Sequence, residues 1–444
     1  MKRHFFAVLV VFTVLVVSST NVFAIGGNLG GGNGLQTSPY LIEDFNDFQQ
    51  FCSDANYWSG FVRLDCDLDL DPNLAGREVY TQAPIAGDIE TNMAFDGVKF
   101  GGCFDGNGYV VRNLVIDGQY YCGLFGRIDP NGSVANLGME NVSVSGTLWY
   151  VGGLVGYNEG SVTNCFAMGQ VSGDDNIGGI VGRNYGSLTS SYSTCSVSGT
   201  SYGSYSVGGL VGRSHGSLTK CHSSGPVNGN HSVGGLVGDN SFGSVINCYS
   251  KSRVSGNHAV GGLIGKNSGF AKRSYSVGLV ATIDPYPDNI GGLVGWNYLG
   301  SSVESCFFDV NSSGRDVAYV EMSGSWPDYI YTSIYNIVGV VEGKTTLEMQ
   351  TENTFTNAGW DFSVIDGNPI DWWINDGRDY PKLSWQVWGN LNNDSCVNLI
   401  DFAILANAWQ AIDGDANYNS ICELTGDSLV DEDDLAELSR MWLQ

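Results

Sequence analysis

One phrase returns along this chain, and it decides what the chain can fold into. Residues 151–156 read Val-Gly-Gly-Leu-Val-Gly, and close copies stand at 177–182, 207–212, 233–238, 260–265 and 290–295, with a degenerate copy at 121–126. The central apolar residues, Leu124, Leu154, Ile180, Leu210, Leu236, Leu263 and Leu293, lie 26 to 30 positions apart. A second short run follows each phrase, such as Ser-Val-Thr-Asn-Cys-Phe at 161–166. In most copies a third follows, such as Gln-Val-Ser-Gly at 170–173. Self-similarity at such a period marks a stacked architecture, in which no single unit can bury its apolar face alone. Gly makes up 62 of 444 residues, and its recurrence every few positions excludes long helices in this region. Three β-prone runs per unit, joined by Gly and Asn turns and stacked about 4.8 Å apart, predict an all-β right-handed parallel β-helix, a solenoid.

The Gly-Gly-Leu-Val-Gly phrase, followed by Asn-Cys-Tyr and Val-Ser-Gly, resembles the GLUG motif of bacterial surface and secreted proteins. The resemblance covers about residues 121–310, and Phe-Asp-Gly-Asn-Gly at 104–108 resembles the coil that precedes such repeats. It implies a β-solenoid in an extracellular setting and little about chemistry.

Three columns should run down the stack. Asn158, Asn184, Asn240, Asn267 and Asn297, with Ser214 the exception, occupy one turn position, where stacked amides can hydrogen-bond from coil to coil. Cys165, Ser191, Cys221, Cys248, Ser274 and Cys306 occupy an inward packing position, which favours buried free thiols over disulfides. Immediately after them come Phe166, Tyr192, His222, Tyr249, Tyr275 and Phe307. Neighbours along a strand face opposite ways, so this column should point outward or lie at a corner. It is either a ladder that stiffens the fold or a strip on which sugar rings stack.

The termini differ from the repeat. Residues 1–24 have a short basic start, an apolar run and small residues before position 25, which predicts a signal peptide and an exported protein. No later segment is long and apolar enough to suggest a membrane span. The net charge of −26 argues against nucleic acid as a partner. In the leading part, Cys52, Cys66, Cys103 and Cys122 are the better disulfide candidates. Phe45, Phe48 and Phe51 suggest a helix that closes the end of the solenoid. Leu-Asp-Cys-Asp-Leu-Asp-Leu-Asp at 64–71 alternates as a half-buried strand does; its aspartates form a solvated face or, less commonly, a calcium site. Residues 311–388, with Trp360, Trp372, Trp373, Trp385 and Trp388, read as an aromatic C-terminal cap.

Residues 389–444 hold eleven acidic residues against one Arg, and they contain a duplication. Asp401, Phe402, Leu405 and Trp409 recur 33 positions later as Asp434, Leu435, Leu438 and Trp442. Before each helix-like pattern, oxygen donors alternate as in a calcium loop. One set is Asn390, Asn392, Asp394, the Cys396 carbonyl, Asn398 and Asp401; the other is Glu423, Thr425, Asp427, the Leu429 carbonyl, Asp431 and Asp434. Two such loop–helix units resemble a type I dockerin. That implies a small all-α domain, calcium as cofactor, and a cohesin-bearing scaffold as partner. Ser395 and Ser428 stand where the loop normally has Gly. The first loop carries only two carboxylates against four, so the second should bind more tightly.

For catalysis the repeat offers little. Between 121 and 310 there are ten acidic residues, none recurring in a column, and no Ser/His/Asp set or zinc cluster. Asp174 and Asp175 form a candidate pair. Arg183 and Arg213 share one turn column and could grip an acidic glycan, although solubilising charge is the commoner role. Fold does not carry function, so no catalytic residue is assigned. Two readings remain. The first is a secreted, non-catalytic β-helix that binds polysaccharide or cell-surface glycan and is tethered by dockerin–cohesin pairing. The alternative is a polysaccharide hydrolase or lyase, or an accessory subunit of a cellulosome-like complex. The expected divisions are a signal peptide (1–24), an N-terminal cap with the first coils (25–120), the repeat β-helix (121–310), the aromatic cap (311–388) and the dockerin-like domain (389–444).

Overall fold

The computed structural model describes residues 29–88, 94–200, 205–282, 288–323, 330–334, 341–365, 368–369, 371–386 and isolated positions 402, 405–406, 409–410, 430 and 435. The chain winds into a parallel β-solenoid. One face stacks ten strands, from Tyr40–Ile42 through Ser161–Thr163 to Ser302–Glu304. A second stacks nine, from Phe125–Ile128 through Val181–Asn184 to Tyr319–Ser323 and Ile330–Ile334. A third, more bent face carries the runs after the Cys column. Pairing is parallel throughout the coils, and only the terminal Tyr319–Ser323 and Ile330–Ile334 strands pair antiparallel in the second face.

The repeated phrase does not form one strand; it straddles a corner. Val151 and Gly152 end a strand of the third face, and Val155–Asn158 begins a strand of the second. The register is kept from coil to coil, with Val151 beside Ile177, Ile177 beside Val207, and Val207 beside Val233. Leu154, Ile180, Leu210, Leu236, Leu263 and Leu293 all point into the core with no exposed surface. Burying a side chain of this size stabilises the fold by roughly 1.5–3 kcal/mol. The closing Gly is dictated by proximity. A Cβ at Gly182 would lie 2.6 Å from the Tyr150 carbonyl carbon, and one at Gly212 would lie 2.5 Å from that of Asn176.

Those neighbours are themselves corners. Tyr121, Tyr150, Asn176, Ser206, Ser232, Ala259 and Asn289 adopt positive φ in successive coils. A second such column runs through Asn136, Asn164, Ser190, Lys220, Asn247, Arg273 and Ser305. Asn tolerates this left-handed conformation best among residues with a side chain, which accounts for its frequency before the Cys column.

The expected amide ladder is present and buried. Asn158 Nδ2 donates to Asn184 Oδ1 at 2.8 Å, Asn240 to Asn267 at 2.8 Å and Asn267 to Asn297 at 2.8 Å. Where Ser214 interrupts the column, Asn184 Nδ2 donates to its Oγ at 3.3 Å.

Cys165, Cys221, Cys248 and Cys306 are buried as free thiols, and so is Cys195. Burial pushes the Cys165 and Cys306 thiols up to about 12. The disulfide expectation for Cys52, Cys66, Cys103 and Cys122 is corrected, since all nine described cysteines are unpaired. These four lie on different elements: Cys52 in the N-terminal helix, Cys66 after a first-face strand, Cys103 in the next such strand and Cys122 at a corner.

The N-terminal end is closed by the helix Phe45–Ser53. Asp44 caps it by accepting from the amides of Asn46 and Asp47, and Phe51 packs against Phe100 and Phe104. The aspartates of 65–71 are not arranged around a cation. Asp65 pairs with Arg63 at 2.7 Å, Asp67 with Arg112 at 2.9 Å, and Asp69 accepts from Asn113 Nδ2 at 2.8 Å.

Candidate functional site

The proposed sugar strip is stacked but not open. Ring centroids of Phe166–Tyr192, Tyr192–His222, His222–Tyr249 and Tyr249–Tyr275 are 5.3, 4.9, 4.7 and 5.0 Å apart, with planes within 15°. The column does face away from the solenoid interior. Residues 346–386 then cover it: Phe355 and Trp360 pack on Phe307, Trp372 on Tyr249 and Tyr275, and Trp385 on Tyr192 and His222. The contact is specific. Trp360 Nε1 donates to the Ser305 carbonyl at 2.8 Å, and Trp385 Nε1 to the Lys220 carbonyl at 2.9 Å. Gln386 meets both His222 and Tyr249, and Tyr275 donates to the Pro381 carbonyl.

Tyr192, His222, Tyr249, Tyr275 and Phe307 are therefore buried, and only Phe166 lies half-open beyond the cap. Burial, with Lys251 nearby, pushes the His222 imidazole down to about 3, so it is neutral. The exposed-strip expectation is corrected here: the rings form the seam between the solenoid and its aromatic cap.

A different aromatic surface remains open, on the second face. Its outward column runs Arg127, Tyr157, Arg183, Arg213, Asp239, Lys266, Trp296 in adjacent strands. The turn position two residues on adds Tyr185 and His215, and the positive-φ corner adds Tyr150, with Tyr121 buried behind it. Tyr157 and Tyr185 stack at 5.6 Å, and Tyr185 and His215 at 4.3 Å with planes 6° apart. Tyr150 meets Tyr157 edge-on at 5.3 Å. Tyr185 is 42% exposed.

Charge is organised along the same column. Arg127 chelates Glu159 through two bonds of 3.1 and 3.0 Å, and Lys99 adds a third at 2.8 Å. Asp239, nearly buried, lies 3.6 Å from Arg213 and 3.7 Å from Lys266. Arg213 is thus paired with a carboxylate, whereas the Arg183 guanidinium is held by the Tyr150 and Tyr185 phenols.

Asp175 sits in register between Trp149 and Tyr205 at the edge of this surface. Burial pushes its carboxyl up to about 6, while the Asn176 amide, Arg213 and Arg183 oppose the shift and Asp174 adds to it. Sequence reasoning singled out Asp174, Asp175, Arg183 and Arg213 but missed the tyrosines. Tyr150, Tyr157 and Tyr185 occupy three different offsets from the repeated phrase, so no single column displays them. Only Tyr185, two positions after Arg183, carried a local signal; Tyr150 reaches Arg183 from 33 positions away.

On the bent third face a groove of about 640 Å³ is lined by Asp71, Asn73, Asn113, Asn141, Ser143, Gln170, Thr194 and Ser196, among others. Its wall carries a second amide ladder, in which Asn141 Nδ2 donates to Asn113 Oδ1 at 2.6 Å. It offers hydrogen-bonding groups and no aromatic ring.

All twelve calcium-loop positions, from Asn390 to Asp434, lie outside the described residues, as does the leader at 1–24. Near the loops, residues 402 and 405–406 are helical, Leu405 and Val430 are buried, and the Gln410 amide donates to the Val430 carbonyl at 2.7 Å. Among the described residues no cluster of metal-binding side chains occurs, and no helix is long and apolar enough to cross a membrane.

Comparison with known proteins bears on the repeat. The family model described as "The GLUG motif" matches residues 147–172, 203–228 and 229–255. The chain carries GLUG repeats. Halomucin of Haloquadratum walsbyi is 33% identical over 150 residues, 33% of this chain and 2% of that protein. A "Putative Gly-rich membrane protein" of Evansella cellulosilytica is 30% identical over 163 residues, 35% of this chain and 17% of that protein. The match thus spans a small part of either relative. Among solved structures, a "putative immunoglobulin A1 protease" from Bacteroides ovatus aligns over 80% of this chain and 94% of its own, at 20% identity and a TM-score of 0.43.

Proposed function

We propose that the protein is an extracellular, non-catalytic solenoid that binds polysaccharide or cell-surface glycan. In this reading, its C-terminal segment tethers it through calcium-dependent pairing with a cohesin-bearing scaffold. The observation that carries the glycan reading is the open surface of Tyr150, Tyr157, Tyr185 and His215 around Arg183. Aromatic rings fixed on a rigid sheet supply apolar contact at little entropic cost, and polar tips beside them give direction. The GLUG repeats are compatible with a surface or secreted setting, and the relative named as a membrane protein supports that setting. The calcium tether rests on the duplicated oxygen pattern of 390–434 alone.

One observation favours the second reading, a polysaccharide hydrolase or lyase. A carboxyl held near 6, as that of Asp175 is, suits a proton donor or acceptor near neutral pH. Glycoside hydrolysis, however, requires a second carboxyl across the sugar. A single assay separates the readings: the chain is incubated with calcium and a panel of soluble and insoluble polysaccharides, and both retention and new chain ends are scored. Retention without new ends is expected. New ends on any polymer overturn the non-catalytic reading, and the absence of retention on every polymer overturns the glycan reading.

A further inference from the structure

Arg183 differs from every other cation on its column. Arg127 has Glu159, and Arg213 and Lys266 share Asp239. Among the described residues, no carboxylate lies within 4 Å of the Arg183 guanidinium. Its Nη1 instead donates to the Tyr150 phenol at 3.0 Å and its Nη2 to the Tyr185 phenol at 2.7 Å. Its Cζ lies 5.5, 5.7 and 5.0 Å from the rings of Tyr150, Tyr157 and Tyr185. A neutral phenol orients the fork without cancelling its charge.

The remaining donors are the informative part. A guanidinium carries five N–H groups, and two are used here. Nε is buried without a hydrogen-bond partner, as is Nδ1 of His215 in the same cluster, so the donors left for a ligand are one N–H on each terminal nitrogen. Each phenol that accepts from Arg183 keeps its own O–H to donate. A planar fork flanked by two hydroxyl donors matches a carboxylate, whose two oxygens accept in one plane. The half-exposed Tyr185 ring beside it suits the apolar face of a sugar. A peptide added as an extra strand is disfavoured, because every strand at this site is already paired on both sides within the stack.

We propose that Arg183, caged by Tyr150, Tyr157 and Tyr185, anchors the carboxylate of a uronate unit in an acidic polysaccharide. This rests on the glycan-binding reading above and names the ligand class and its anchor. The net charge of the whole chain, −26, repels any polyanion, so retention of a uronate polymer has to come from engagement of the fork itself.

The test uses the full chain with calcium and three immobilised polymers: polygalacturonate, the same polymer after reduction of its carboxyls to alcohols, and dextran sulfate. At least tenfold weaker retention on the reduced polymer is expected. Arg183→Gln should lose at least tenfold on polygalacturonate, Arg183→Lys less, and Tyr185→Phe should lose a smaller part while its ring remains. If Arg183→Gln fails to fold, the reduced polymer still decides, because it leaves the protein untouched. Equal retention on native and reduced polymers overturns the uronate anchor while leaving the glycan reading intact. Equal retention on dextran sulfate, erased by moderate salt, reveals charge attraction alone and also overturns the anchor. No retention on any polymer, together with failure of the wider neutral panel, overturns both.

Discussion

His222 and Tyr249 stand in adjacent coils with ring planes 2° apart, and the side-chain amide of one residue, Gln386, hydrogen-bonds both. That amide comes from 164 and 137 positions away along the chain. The seam between solenoid and cap therefore depends on an imidazole that stays neutral.

This gives the first prediction. The unfolded imidazole titrates near 6.5, and in the fold His222 is pushed down to about 3. Its contribution is fully present above pH 6.5 and is lost as pH falls toward 3, because the unfolded chain takes up the proton first. At pH 5 the loss is on the order of 2 kcal/mol. His222→Tyr, which continues the ring column without the proton, should flatten the decline of thermal stability between pH 7 and 5. An unchanged pH profile would show that the seam does not depend on this titration.

The second prediction concerns the corner. Gly182→Ala forces a Cβ to within 2.6 Å of the Tyr150 backbone and should destabilise the chain by roughly 2–4 kcal/mol, the range for displaced packing and strain together. Gly101→Ala, where the nearest atom is 3.9 Å away, is the control and should change stability by less than about 1 kcal/mol. Chemical denaturation of both variants reads the difference. Equal losses would remove the argument that proximity selects this Gly.

A third prediction follows from Asp175. An unfolded Asp titrates near 3.9, whereas the folded carboxyl is held up at about 6. The sign is the reverse of a salt-bridged carboxylate: the ionised group destabilises the fold fully above pH 6, and this cost vanishes below about pH 3.9. Allowing for partial access to solvent, Asp175→Asn should stabilise the chain by roughly 1–2 kcal/mol at pH 8 and by almost nothing at pH 4. The same titration lowers negative charge beside Arg183, Arg213 and Asp174, so uronate retention should rise as pH falls from 7.5 to 5. Retention that falls over this range would contradict it.

Calcium supplies the fourth. Calorimetric titration should find the stronger site lost in Asp431→Asn and retained in Asp394→Asn, because the second loop has four carboxylates against two. Chelation should leave the melting of the solenoid unchanged.

The sequence exposes the solenoid because each of its contacts repeats. Leu154 meets Ile180 as Ile180 meets Leu210, and Asn240 meets Asn267 as Asn267 meets Asn297, so periodicity alone places the apolar, amide and thiol columns. The cap is the opposite case. Trp385 reaches Lys220 across 165 positions, and no local pattern says which face of the stack it covers. Alternation put Tyr249 and Tyr275 on the outer side correctly, but only tertiary contact could bury them. The open surface was half-legible: Arg183 and Arg213 share a column, while the phenols that orient Arg183 come from other offsets and from a neighbouring coil.

The path of the cap has a mechanical consequence. It leaves the last coil at Val341–Lys344 beside Cys306–Asp309, then runs back along the stack until Trp385 rests on His222. Gln386, where the described cap ends, thus lies on the flank of the stack, several coils short of its last turn. A partner pulling there would load the molecule like a beam held at midspan. The force would be shared between the Trp385 and Gln386 contacts and the coils beneath them, instead of peeling the stack from its last turn.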